Sequence, residues 1–142
     1  MSVIRAQIVA EARSWLATPF HHQARVKGVG VDCAGVIIGT AARLGLCPDF
    51  IDERNYARTP DGRMRELLRR HLLPVPREQR LAGDVINFAW YGEPQHLGIL
   101  TERNTVVHAY GTEVRGRVVE TTRTGRHLDA VRGVYRFHEV AD

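Results

Sequence analysis

No stretch of this 142-residue chain strings together the ~20 apolar residues that a membrane-crossing helix needs, so no membrane span is expected. Residues Met1 to Leu16 carry Arg5, Glu11 and Arg13 and so lack the unbroken apolar core of a signal peptide. Synthesis in the cytoplasm is therefore the expectation, with work elsewhere depending on another export or delivery route. Cysteine is scarce as well. Cys33 and Cys47 are the two present and do not form a C-x-x-C pair, so free thiols are expected rather than a disulfide framework. His21-His22, with Cys33 or His108, has the residue types of a zinc site. Neither H-E-x-x-H nor paired C-x-x-C occurs, and no metal or other cofactor is expected. The chain also lacks internal repeats and low-complexity linkers.

What is present is an ordinary globular composition, 44% hydrophobic and 25% charged, in a length that suits one domain over residues 1–142 with a core of its own. The net charge of +4 is compatible with anionic partners. Its densest cluster, Arg63, Arg65, Arg69 and Arg70, is explained as well by a solvated helix face, so no specific nucleic acid is expected.

Ile4, Ile8, Ala12, Trp15 and Leu16 recur near one helical face and predict a first helix over Val3 to Leu16, with Ser2 as N-cap. Thr18-Pro19 ends it, and the polar, Gly-rich stretch to Val31 reads as a loop. Asp32 then caps a second helix from Cys33 to Leu44, stopped by Gly45. Gly35 and Gly39 each weaken that helix by roughly 1 kcal/mol relative to alanine, which implies close packing against them. A third helix is expected from Gly62 to Leu72, capped by Asp61. After Pro74-Val75-Pro76 the texture turns to β-type runs: Asp84 to Trp90, Leu97 to Leu100, Thr105 to Tyr110, Val114 to Thr122 and Val131 to Phe137. Helices first and strands afterwards predict an α+β domain with a small antiparallel sheet.

Cys33 at the mouth of a helix is the most reactive feature predicted. Unpaired N–H groups and the positive dipole end favour a thiolate there, whereas a cysteine taken alone is more often a small buried hydrophobe. A hairpin turning at Glu102 sets His96 directly across from His108, with Cβ atoms about 4.5–5.5 Å apart. Asp84 reads as a turn-to-strand residue rather than a catalytic acid. Trp90 and Tyr91 are candidates for a cleft or for core packing, and Cys47 for a semi-buried thiol.

The segments Asp32-Cys33-Ala34-Gly35, Gly83-Asp84-Val85, His96-Leu97-Gly98-Ile99 and His108-Ala109 resemble, in order and spacing, the successive signatures of the NlpC/P60 cell-wall peptidases. The run from Thr18-Pro19-Phe20-His21-His22-Gln23-Ala24 to Lys27-Gly28-Val29-Gly30 resembles more narrowly the branch found in phage and gene-transfer-agent tail clusters. The resemblance implies a circularly permuted papain-like fold and hydrolysis of an amide bond in peptidoglycan stem peptides, commonly between D-γ-glutamate and diaminopimelate. It makes Cys33 the nucleophile, His96 the general base and His108 the residue that orients the base. The partners implied are peptidoglycan peptide and phage tail proteins, at the virion tail, periplasm or cell wall. Asp32, Ala34, His21, His22 and Gln23 are implied as oxyanion or substrate contacts. Phe20 stands where many relatives carry tyrosine, and Ala34 where they carry serine. Both departures bear on the pocket and on the second oxyanion donor, for which His21 is marginally preferred. Two other functions fit the same residues: a tail-assembly component that keeps the fold as an interaction module, and an acyl or lipid amide hydrolase or transferase.

Overall fold

The computed structural model describes residues 3–46, 63–90, 93–110, 115–122 and 131–141. Within them β1 (Val3–Ile4) leads into α1 (Arg5–Arg13), the short hairpin of β2 (Arg25–Val26) and β3 (Gly30–Val31), α2 (Cys33–Arg43) and α3 (Arg63–His71). β4 (Leu73–Val75), β5 (Val85–Trp90), β6 (Glu93–Leu100), β7 (Thr105–Tyr110), β8 (Arg117–Thr122), β9 (Val131–Arg136) and β10 (Val140–Ala141) follow. Six strands make one antiparallel sheet in the order β4-β9-β5-β6-β7-β8, while β1 pairs in parallel with β10. The α+β class expected from the order of patterns is the one observed.

α1 is shorter than its periodicity predicts. Its N–H at Ile4 bonds the Gln7 Oε1 at 2.9 Å, and Ser2 and its expected cap lie outside the described residues. Ile8, Val9, Ala12 and Trp15 are buried, but Ile4 and Leu16 are exposed, because the chain leaves the helix after Arg13 and Ala17 takes a left-handed φ of 70°. The predicted second helix ends in a Schellman motif: Gly45 at φ 70° lets its own N–H reach Ala42 O and the Leu46 N–H reach Ala41 O at 2.8 Å. The close packing expected at its glycines is present. A Cβ on Gly35 would stand 2.6 Å from Ala24 O, and one on Gly39 would run into the Trp15 indole. Asp61 and Gly62 lie outside the described residues, as does Cys47.

One face of the sheet, with Val85, Leu97, Ile99, Val107, Ala109 and Val118, packs with residues of all three helices into the main core. The opposite face carries a second apolar cluster of Ile86, Phe88, Leu100, Val106, Val131 and Val134. Pro74 sits in β4 at the edge of the sheet, where a missing N–H costs nothing, so the sequence read there as a break is a strand.

Two charged ties join α1 to the sheet. Asp84 is completely buried and takes two bonds of 2.8 Å from the Arg136 guanidinium, one of 3.1 Å from Arg5 Nη1 and one of 2.8 Å from the Leu81 N–H. Arg13 grips both carboxylate oxygens of Glu120 and also bonds Glu102 at 2.7 Å, which holds both carboxyls below their ordinary range. Neither tie was visible in the local sequence. Asp84 is the buried anchor of a turn, in keeping with its reading as a turn-to-strand residue.

Candidate active site

Asp32 fixes the start of α2. Its buried carboxylate accepts from the Gly35 N–H at 2.7 Å and from the Gln23 N–H at 2.6 Å, and His22 Nδ1 lies 3.8 Å from the same oxygen that Gln23 uses. One side chain therefore caps the helix and ties the His22–Gln23 turn beside it. Gln23 takes a left-handed φ of 60°, and the His21 side chain is exposed. Ala34 is buried in the main core.

Cys33, the first residue of α2, is half-buried. Burial and then the Asp32 carboxylate push its thiol from the ordinary 9.0 up to about 12, against N–H groups of Leu97, Ala34 and Cys33 itself that favour the anion. At this helix start, burial and the neighbouring negative charge oppose the thiolate more strongly than the three N–H groups favour it. The Leu97 contact also locates the sulfur. Thr101 N–H bonds Thr105 O on the β7 side and Leu100 N–H bonds Asp84 O on the β5 side, so odd-numbered residues of β6 aim their N–H groups toward β7. Pairing of β6 with β7 ends at Ile99↔Val107, and beyond that point the Leu97 N–H serves the sulfur instead.

His96 and His108 meet on the face of these strands that also carries Phe88. His96 Nε2 and His108 Nδ1 are 2.6 Å apart, with the rings nearly perpendicular at 84°. The hairpin does not turn where expected. Ile99 pairs with Val107 and Leu100 with Val106, and counting that register on past the end of the pairing sets Gly98 level with His108 and His96 level with Tyr110. The turn thus sits one residue later, yet the two-residue shift in partner keeps both histidines on one face, now as diagonal neighbours. Gly98 makes the diagonal contact possible. A Cβ there would stand 3.1 Å from His108 Cβ and 3.0 Å from Val107 O, and would collide with Val106.

Three residues around the pair were missed at the level of sequence. Phe88, paired directly with His96, has its ring centroid 5.9 Å from that imidazole. Tyr110 stands edge-on to both histidines at 6.4 and 5.7 Å. Thr121 Oγ1 lies 2.9 Å from His108 Nε2. The period-2 alternation of the strands would have put all three on the histidine face, had the register been known. The side chains of Trp90 and Tyr91 lie outside the described residues. Among the described residues no group of His, Cys, Asp or Glu is arranged to hold a metal ion, and no helix is long and apolar enough to cross a membrane.

No family model and no curated protein matches the sequence. Solved structures do. The fold is similar to that of an NlpC/P60 family protein from Bacillus cereus, at 18% identity and a TM-score of 0.69, over 96% of this chain and 41% of that one. It is similar to the NlpC/P60 domain of the peptidoglycan hydrolase SagA, at 18% identity and a TM-score of 0.65, over 94% and 98% of the two chains. It is also similar to the peptidoglycan hydrolase RipB from Mycobacterium tuberculosis, at 18% identity and a TM-score of 0.62, over 93% and 63%. The chain spans less than half the length of the Bacillus protein. The fold is that of the NlpC/P60 proteins, as the sequence motifs implied.

Proposed function

We propose that this chain is a cysteine amidohydrolase of the NlpC/P60 kind that cleaves an amide bond in peptidoglycan stem peptides, with D-γ-glutamyl to diaminopimelate as the bond and a phage or prophage tail as the setting. The observation that carries the reading is the 2.6 Å contact of His96 with His108, one residue along β6 from the Leu97 N–H that faces the Cys33 sulfur. With Nε2 of His96 directed at His108, Nδ1 is the nitrogen assigned to proton transfer.

With the Cys33 thiol pushed up by burial and the Asp32 charge, proton removal by His96 Nδ1 generates the nucleophile. The sulfur attacks the amide carbon, and the Cys33 N–H at the start of α2 stabilises the oxyanion, with the His21–Gln23 turn supplying further contacts. Collapse of the intermediate breaks the C–N bond, and the His96 imidazolium hands its proton to the departing amine. Water, activated by the same nitrogen, then attacks the thioester, releasing the carboxylic acid and restoring the thiol. Mass spectrometry of muropeptides incubated with the wild-type chain and with Cys33→Ala tests the scheme. New amine and carboxyl ends with the wild type alone are expected, and equal cleavage by the variant would refute it.

The raised thiol pKa favours one second reading, in which the fold serves tail assembly and Cys33 stays silent. Co-purification with tail proteins that is unaltered in Cys33→Ala, together with no muropeptide cleavage, is what that reading requires.

A further inference from the structure

The hydrogen-bonded series does not stop at His108. His96, His108 and Thr121 stand on the three adjacent strands β6, β7 and β8, joined by contacts of 2.6 and 2.9 Å. The second step is diagonal as well, since His108 pairs with Val119 and Thr121 with Val106. His108 is buried to 1% exposure, with Phe88 and Tyr110 flanking its ring, and each ring nitrogen meets a side chain, Nδ1 that of His96 and Nε2 that of Thr121.

A neutral imidazole has one N–H and one acceptor nitrogen, which leaves the series two polarities. In one, His96 Nε2–H donates to His108 Nδ1, and His108 Nε2–H donates to Thr121 Oγ1. In the other, the Thr121 hydroxyl donates to His108 Nε2, and His108 Nδ1–H donates to His96 Nε2. The second forces the remaining proton of neutral His96 onto Nδ1 and leaves no lone pair there for the Cys33 thiol. The first leaves Nδ1 as the acceptor, and it persists when His96 becomes cationic.

We infer that Thr121 is a positioning residue: as the acceptor for His108 Nε2–H it selects the first polarity and so keeps His96 Nδ1 basic toward Cys33. The inference rests on the assignment of His96 as general base. Threonine suits the role because its hydroxyl can accept while turning its own proton elsewhere. Valine has the same shape without the oxygen, so Thr121→Val would take the Oγ1 acceptor away from the buried His108 Nε2–H and favour the opposite tautomer.

Long-range ¹H–¹⁵N spectra of the full chain, with ¹⁵N in the histidine rings, report each tautomer directly. At neutral pH the wild type and Thr121→Ser should both show His108 as the Nε2–H form, and Thr121→Val should move it toward Nδ1–H. Alkylation of Cys33 by iodoacetamide, read by peptide mass spectrometry, should slow about tenfold to a hundredfold in Thr121→Val and stay within about threefold of wild type in Thr121→Ser, as loss and rescue of general-base assistance require. Wild-type His108 in the Nδ1–H form overturns the inference, and so does a Thr121→Val variant with unchanged tautomer. Should circular dichroism find Thr121→Val unfolded, the wild type and Thr121→Ser decide the matter: Nε2–H in both supports it, and Nδ1–H in either overturns it. None of these readouts uses peptidoglycan. A chain inert toward muropeptides but with the expected tautomers would refute the peptidase reading and still support the role of Thr121.

Discussion

Replacing Asp84 by asparagine keeps the shape of a completely buried side chain and removes its charge. Three of its four bonds come from guanidinium groups, whose side chains are 13% exposed for Arg5 and 26% for Arg136. The asparagine amide has one acceptor oxygen and turns two N–H donors toward cations that need acceptors. Removing one partner of a buried pair costs roughly 3–5 kcal/mol, and the part-exposed Arg136 recovers some of this through water, so a loss of about 3 kcal/mol is expected. With an unfolding entropy of roughly 2.1 cal/mol/K per residue over 142 residues, that corresponds to about 10 °C in Tm. Thermal unfolding followed by circular dichroism measures it. The double variant Asp84→Asn, Arg136→Met should lose less than the two single losses added together, because both remove one interaction. The rate of Cys33 alkylation should be unchanged at temperatures where the variant is folded. A Tm drop below about 3 °C would refute the buried tie, and loss of muropeptide cleavage at unchanged Tm would make Asp84 a catalytic acid after all.

Gly98→Ala inserts a methyl group between His108 and Val106 and should cost about 1–3 kcal/mol by overpacking while forcing the histidine rings apart. Urea denaturation together with imidazole ¹⁵N shifts checks both, and unchanged values would show that the diagonal contact does not depend on the missing Cβ. Cys33 holds its proton in the native state up to about pH 12, whereas the unfolded chain loses it near the ordinary 9.0. Its contribution to stability is therefore whole below about pH 9 and falls as pH rises toward 12. The urea midpoint of the wild type should decline more steeply than that of Cys33→Ala between those limits, and parallel declines would refute the raised thiol.

What was legible in the chain was whatever local chemistry decides. Asp32 followed by an apolar stripe specifies a cap and a helix without outside help, and Gly45 specifies its end. The turn at 101–105 was misplaced by one residue although its signal is local. Asn104 accepts φ 62°, which closes a three-residue loop over Glu102, Arg103 and Asn104 and centres the hairpin on Arg103. Periodicity alone could not separate that register from its neighbour, because both keep the histidines on one face. The resting state of Cys33 was less accessible. It turns on how far burial and the Asp32 charge offset three N–H groups, one of them donated by a strand more than sixty residues away in the chain. The Asp84 and Arg13 ties depend in the same way on residues far apart in sequence, and no motif marks them.

The segment between α1 and the histidine-bearing turn has a consequence for how the molecule behaves at high concentration. Ala17 N–H bonds Val118 O, Val118 N–H bonds Thr18 O and Phe20 N–H bonds Gly116 O, while Pro19 O and His21 N–H are both taken up by Val31. β8 is the last strand of the sheet, and an open strand edge is a template on which a second molecule can add and aggregate. The first half of that edge is already occupied by the chain itself, and the remainder carries Glu120, engaged by Arg13. The stretch that delivers the backbone to Cys33 is at the same time a cover over the β8 edge against strand-to-strand docking there.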